Sequence, residues 1–269
     1  VCDVLSDSRG VFEAVKKGFD EDVVIAVAPY FFVEIISAML PDKTVVTPVV
    51  SECPVSNHPS LSFERISEFK EAHPEIPLVC YTTSPFKIKV LADALCFPGE
   101  VVKTIESMDS DAVLFVGERN CTQEAIMKCS KKIIPYPHNP VCNVYNSATL
   151  SDVKRMKEMY PDACLIVHPE CRREVLEVAD YVCGSGEMFD IMKKTDYPAY
   201  ILGFEEGFYR RVAREFPDKT VVHLCPYLIC NAFKVFRLET ILDSLMNGGV
   251  VVRVDETLRD RIAPLLEKL

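Results

Sequence analysis

The sequence has twelve cysteines in 269 residues but no C-x-x-C pair. That absence weakens zinc-ribbon and thioredoxin-like readings, which both need two closely spaced thiols. The P-loop, G-x-S-x-G and H-E-x-x-H patterns are missing as well, so none of the usual short catalytic motifs applies. Gly184-Ser-Gly-Glu-Met-Phe189 begins like a dinucleotide loop but lacks the third glycine. No apolar run approaches the roughly 20 residues that span a bilayer, and no signal-peptide pattern opens the chain. Positive charge is in deficit: 30 Lys and Arg stand against 40 Asp and Glu, a formal net charge of −10. Neither nucleic acid nor an acidic membrane is therefore an expected partner, because binding phosphates needs a basic face. A small anionic substrate held by a few local groups is compatible with this charge.

About half of the chain is hydrophobic and a quarter is charged, which predicts a globular protein, expected in the cytoplasm. The cysteines are scattered, many inside apolar strand-like runs, whereas a disulfide scaffold is typically short and loop-rich. Taken singly, each reads as a small buried hydrophobe.

Three segments repeat one order of elements. The first runs Asp22–Val27, a helix, Pro41-Asp-Lys-Thr-Val-Val46, then Cys53. The second runs Asp111–Val116, a helix, Lys132–Ile134, then Cys142. The third runs Ala199–Gly203, a helix, Pro217-Asp-Lys-Thr-Val-Val222, then Cys230. After each Cys comes an amphipathic helix, with apolar positions at Leu61/Ile66/Phe69, Leu150/Val153/Met156 and Leu238/Ile241/Leu245. A β-branched run follows each helix: Pro77–Tyr81, Cys164–Val167 and Val250–Val252. The Cys spacings are 89 and 88, and the two Pro-Asp-Lys-Thr-Val-Val copies lie 176 apart, twice 88. Long internal periods indicate a repeated architecture, and strands alternating with helices indicate parallel α/β units. The expected fold class is α/β: three similar α/β/α domains with parallel sheets around a pseudo-threefold axis. The units are expected at 1–78, 79–164 and 165–255, with 256–269 a helix packing back on the body. Tyr81 precedes Asp93 by twelve residues and His168 precedes Asp180 by twelve. Asp3 holds the matching place in the first unit, so about fifteen to twenty residues are expected before Val1 on matched unit lengths.

Three domains around such an axis would bring Cys53, Cys142 and Cys230 together from loops just beyond strands, where α/β units build ligand sites. Thiolates suit Fe–S clusters or zinc. Three of them would leave one iron of a cubane open as a Lewis acid. Cys225, five residues before Cys230, competes as a ligand, but Cys230 keeps the period better. Among the histidines, His58, His73 and His138 lie near prolines in polar turns, and His223 reads as a core residue. His168 ends an apolar strand in Val167-His-Pro-Glu-Cys171, with Glu170 two residues on, a pair able to share acid–base work or merely to shape the turn at Pro169.

With these features in place the chain resembles the quinolinate synthase family over essentially its whole length. His168-Pro-Glu-Cys171 followed by Glu174–Asp180 resembles the family's H-P-E-C…E-V…A-D. Gly203-Phe-Glu-Glu-Gly207 resembles G-T-E-x-G. Cys230 with Leu238-Glu239 resembles C-x-N-M-K-x-x-T-L-E, Phe31-Phe-Val-Glu34 resembles F-M-A-E, Asp7-Ser8 resembles G-D-S, and Ser51-Glu52-Cys53 resembles A-x-C. The resemblance implies three α/β domains around a 4Fe–4S cluster on Cys53, Cys142 and Cys230. It implies condensation of iminoaspartate with dihydroxyacetone phosphate to quinolinate in NAD biosynthesis, with L-aspartate oxidase as a possible upstream partner. His168, Glu170 and Tyr81 would be catalytic, and Ser8, Thr83 and Ser185 would bind substrate.

Several family positions differ. The Asn of Y-V-N is Thr83, T-S-x-N-A is Cys96-Phe-Pro-Gly-Glu100, C-x-V-H is Cys142-Asn-Val-Tyr145, P-D-K is Gly117-Glu-Arg119, and S-T is Gly184-Ser185. The family's H-x-Y motif would precede Val1. These changes leave open a related dehydratase with another substrate, or a non-catalytic or redox-sensing descendant that keeps the cluster.

Overall fold

The computed structural model describes residues 2–136 and 139–269; His138 lies outside them. The second unit gives the repeated plan in full. It comprises β3 (Leu78–Tyr81), α4 (Phe86–Lys89), β4 (Ala94–Cys96), a 3₁₀ turn at Pro98–Glu100 running into α5 (Val101–Ser107), β5 (Ala112–Val116), α6 (Arg119–Lys128), β6 (Lys132–Pro135) and, past Cys142, a 3₁₀ turn at Tyr145–Ser147 and α7 (Leu150–Met159). The third unit follows it element by element with β7 (Cys164–Val167), α8 (Arg173–Leu176), β8 (Tyr181–Val182), α9 (Ser185–Lys194), β9 (Tyr200–Gly203), α10 (Glu206–Glu215), β10 (Val221–His223), α11 (Asn231–Lys234) and α12 (Leu238–Asn247). The first unit holds α1 (Ser8–Lys17), β1 (Val23–Ile25), α2 (Tyr30–Met39), β2 (Thr44–Thr47) and α3 (Phe63–Ala72); β11 (Val250–Val252) and α13 (Glu256–Lys268) close the chain.

Two sheets share one order, β4-β3-β5-β6 and β8-β7-β9-β10, and all their pairings are parallel. Every residue of β3, β7 and β9 is buried, as expected of parallel strands covered by helices on both faces. This explains why Cys80 and Cys164 behave as small hydrophobes. The largest core joins the first two units, and α13 adds Ile262 and Leu266 to it.

The first sheet departs from the expected parallel pattern. Its order is β1-β2-β11, and β11 runs antiparallel to β2, with Val251 opposite Val46. By hydrogen bonding, Val250–Val252 therefore sits with the first unit, although the sequence order attaches it to the third. The cause is the reversal after α12. Gly248 adopts φ +82, a left-handed conformation that disfavours side chains. Gly249 lies so close to Thr47 that an added Cβ would stand 2.5 Å from the Thr47 carbonyl oxygen. The helices before β3 and β7 bury Ile66, Val153 and Met156 as the apolar spacing predicts. In α12 it is Ser244 that turns inward, and Leu238 and Leu245 are exposed. No helix among the described residues is long and apolar enough to cross a membrane.

The matched aspartates have one structural job. Asp93 Oδ2 accepts the Leu78 N–H at 2.7 Å and pairs with Lys70 of α3; Asp180 Oδ2 accepts the Leu165 N–H at 2.7 Å and pairs with Lys157 of α7 at 3.3 Å. Each carboxylate thus clasps the start of its unit's central strand to the preceding helix. The lysine pairs are partly exposed and contribute little, so most of the value lies in the N–H bond. Asp93→Ala and Asp180→Ala should each cost about 1–2 kcal/mol, and their effects should add because the sites are in different units. Urea denaturation of the two single variants and the double variant checks this; midpoints unchanged from the parent would refute the clasp.

Candidate active site

Each cysteine loop is anchored by the same backbone bond. The first N–H of α2, α6 and α10 (Tyr30, Arg119 and Glu206) donates to the carbonyl two residues before the cysteine (Ser51, Pro140 and Leu228) at 2.8, 2.8 and 2.7 Å. Each cysteine carbonyl then accepts an N–H four residues on, from Asn57, Asn146 and Lys234 at 2.9, 2.9 and 3.1 Å. Cys53, Cys142 and Cys230 therefore each open one helical turn, whose free N–H groups face the cysteine. Val55 and Ser56 direct N–H groups at the Cys53 sulfur, Tyr145 at Cys142, and Ala232 and Phe233 at Cys230.

The three loops face one buried carboxyl group. Burial pushes the Cys53 thiol up to about 11, the Cys142 thiol well above its usual value, and the Cys230 thiol upward; Glu170 adds to the rise at all three. Cys53 is felt by Cys142, and Cys230 by Cys53. The Cys142 thiol donates to the Glu170 carboxylate. Cys225 also receives two backbone N–H groups, but it is buried in the core of the third unit, and its charged neighbours are Asp152 and Arg155. Cys225 thus has a different environment from Cys230, whose neighbours include Glu170 and Glu205. All twelve cysteines are free thiols.

Glu170 also joins the other residues singled out in the sequence. It is buried, and the fully buried Tyr81 donates its hydroxyl to Oε1 at 2.7 Å. Burial raises the Glu170 carboxyl, opposed by the bonds from Tyr81 and Cys142. Its own N–H donates to His168 Nδ1 at 3.3 Å. His168 is buried and stacks on Tyr145 with ring centroids 4.0 Å apart and planes within 8°. Burial pushes its imidazole down to about 3, so it is neutral, with Nδ1 as acceptor and the proton on Nε2. His223 has a structural place, bonding Phe204 O at 2.7 Å and stacking on Tyr209.

Ser8 and Ser185 open α1 and α9, and these helix starts meet. A Cβ on Gly186 would stand 3.0 Å from Asp7 Oδ2, and one on Gly99 would stand 2.9 Å from the Gly184 nitrogen. Arg9 bonds Glu100 at 2.6 Å across the same junction. Ser8 is exposed, and Ser185 and Thr83 are half-buried; Thr83 makes no hydrogen bond to another described residue.

Three participants were not singled out in the sequence. Asn120 donates Nδ2 to the Glu170 carbonyl at 2.8 Å, and Glu118 and Glu205 accept the N–H groups of Cys142 and Cys230 at 3.0 and 3.3 Å. Their bonds cross 24 to 50 residues of chain, a separation that periodicity does not reveal. Gly117-Glu-Arg119 at the family's P-D-K position and Glu205 within Gly203–Gly207 were the available signals.

Among the described residues, no three His, Cys, Asp or Glu groups close on a point that one ion could occupy. A cubane asks something different, since each thiolate meets a separate iron and the sulfurs stand farther apart than the ligands of one ion. The donor set suits such a group. Buried thiols held with N–H groups aimed at sulfur resist ionisation by themselves, and a bound cationic centre reverses that preference.

A family model described as "Quinolinate synthetase A protein" matches residues 1–269. The chain is 32% identical over 271 residues to the quinolinate synthase of Geotalea uraniireducens, covering all of this chain and 87% of that protein. Quinolinate synthase 1 of Methanosarcina acetivorans gives the same values, and the quinolinate synthase of Methanothermobacter thermautotrophicus is 31% identical over 270 residues, 100% of this chain and 88% of that protein. The anchored cysteine turns, the Glu170 centre and this end-to-end match together establish that the chain belongs to the quinolinate synthase family.

Proposed function

We propose that this protein is a quinolinate synthase, a transferase that condenses iminoaspartate with dihydroxyacetone phosphate to give quinolinate, phosphate and water for NAD biosynthesis. One observation carries the reading: Glu170 neighbours Cys53, Cys142 and Cys230 alike while bonding Tyr81 and standing beside His168. Cys53, Cys142 and Cys230 would hold a 4Fe–4S cluster. When bound, the cluster supplies an iron without a protein thiolate, a Lewis acid for a substrate oxygen.

The side chains supply the proton chemistry. Burial raises the Glu170 carboxyl, the direction that suits a general acid, and it can donate to a departing hydroxyl. Tyr81 holds that carboxyl in place and can return a proton to it. His168, neutral, presents Nε2–H to a carbonyl or carboxylate, and its stack on Tyr145 fixes the ring plane. The N-termini of α1 and α9, with Ser8 and Ser185, offer hydroxyl and N–H groups to the phosphate of the triose. Thr83, half-buried two residues beyond Tyr81, would contact substrate. An imine of aspartate hydrolyses readily in water, so an oxidase acting on L-aspartate is the fitting supplier.

Anaerobic reconstitution should give about four iron and four sulfide per chain. Ala in place of Cys53, Cys142 or Cys230 should abolish the cluster, whereas Cys171→Ala and Cys225→Ala should keep it. A full cluster in all three of the first group ends the assignment.

His168→Ala and Glu170→Ala should keep iron and lose about 10²–10⁴-fold in quinolinate formation. Normal turnover in both variants removes them from catalysis. An inactive parent with a full cluster would turn attention to Thr83, Phe97–Gly99 and Tyr145 as marks of a different substrate.

The buried imidazole also sets a pH slope in the metal-free protein. Its folded pKa of about 3 lies below the ordinary 6.5, so between these values the unfolded chain binds the extra proton. Stability is full above 6.5 and falls as pH drops toward 3. His168→Asn should flatten this slope in urea titrations at stepped pH; an unchanged slope would show that His168 does not contribute.

A further inference from the structure

We propose that Glu118 and Glu205 are positioning residues, each a two-oxygen brace that locks one cysteine loop to the start of its neighbouring helix. Glu118 Oε2 accepts the Cys121 N–H of α6 at 2.9 Å, and Oε1 accepts the Cys142 N–H at 3.0 Å. Glu205 repeats the arrangement: Oε2 accepts the Gly207 N–H of α10 at 2.7 Å, and Oε1 accepts the Cys230 N–H at 3.3 Å. Both side chains are buried, with exposures of 0% and 8%.

A side-chain acceptor at a helix N-terminus is favoured by the helix dipole. Used only as a cap, one oxygen would suffice. Here the second oxygen reaches over 24 or 25 residues to the amide of the cysteine itself. Fixing that amide restrains the backbone from which the cysteine side chain projects. Lys234, one turn past Cys230, stands 3.6 Å from Glu205 Oε1 and adds a cation to the second brace.

The first unit is the internal control. Pro29 precedes α2 where Glu118 and Glu205 precede α6 and α10, and it has no side-chain acceptor. The Cys53 loop is tied instead to the third unit, where Ser51 Oγ donates to the Ala232 carbonyl at 2.6 Å. Two sulfurs are thus set within their own units, and the third is set by docking against a neighbour.

The consequence for a cluster rests on the assignment of Cys53, Cys142 and Cys230 made above; the brace itself does not. Hydrogen–deuterium exchange on the metal-free protein therefore tests the brace directly. Glu118→Ala should speed exchange about tenfold in the 140–146 loop, and Glu205→Ala should do so in the 227–234 loop. Neither should change the 51–57 loop. The Gln variants keep one good acceptor and should fall between parent and Ala, which preserves the test if an Ala variant fails to fold. Unchanged exchange in the braced loops overturns the proposal, and so does an equal rise in all three loops, which would indicate general loosening. In the reconstituted protein, loss of iron to an anaerobic chelator should be about 10- to 100-fold faster in either Ala variant. A parent that binds no cluster refutes the cluster assignment, while the exchange data still decide the brace.

Discussion

Burying a carboxyl group among three thiols constrains everything around it. Without a cation each of these groups is pushed toward its neutral form, because desolvation penalises charge and the neighbours would repel it. Glu170, Cys53, Cys142 and Cys230 are all shifted in that direction. The surroundings nonetheless prepare for negative charge. Backbone N–H groups aim at each sulfur, and Tyr81 donates to the carboxyl. Such an arrangement is costly as a pure structural core and sensible around a cationic group that exchanges protons for metal. The buried polar neighbours follow from the same constraint. Asn120 satisfies the Glu170 carbonyl, and Glu118 satisfies the Cys142 amide, since a buried polar group left unpaired would cost about 1–3 kcal/mol.

The repeat was legible because each unit uses the same local solutions. The 88-residue period located the cysteines, and the matched Asp93 and Asp180 proved to be identical clasps on identical strands. Apolar spacing identified the inward faces of α3 and α7. It misjudged α12, because the hydrophobic pattern records which face wants cover and not what stands beside it. Val250–Val252 reads as a strand whichever sheet it joins; its antiparallel pairing depended on Gly248 and Gly249, which permit a reversal too tight for residues with side chains. Glu118 and Glu205 were hidden for another reason. A glutamate beside a helix N-terminus is ordinarily explained by the helix dipole, and only the fold reveals where its second oxygen goes.

Equivalent backbone positions do not carry equivalent chemistry, and that asymmetry makes a repeat into a site. Tyr81 and His168 occupy matching places, each twelve residues before its clasping aspartate, and Thr83 and Glu170 match in the same way. The second unit thus presents a tyrosine and a threonine at its central strand end, where the third presents a histidine and a glutamate. Folded against each other, the two ends interlock, with the Tyr81 hydroxyl on Glu170. A lone unit would have its tyrosine or its carboxyl, but not the bond between them. The same logic governs the loops beyond the strands: their helical turns are threefold in backbone, yet Pro29 leaves the Cys53 loop without the carboxylate that the other two possess. Symmetry in the scaffold brings the groups to one place, and departures from symmetry determine which group does what there.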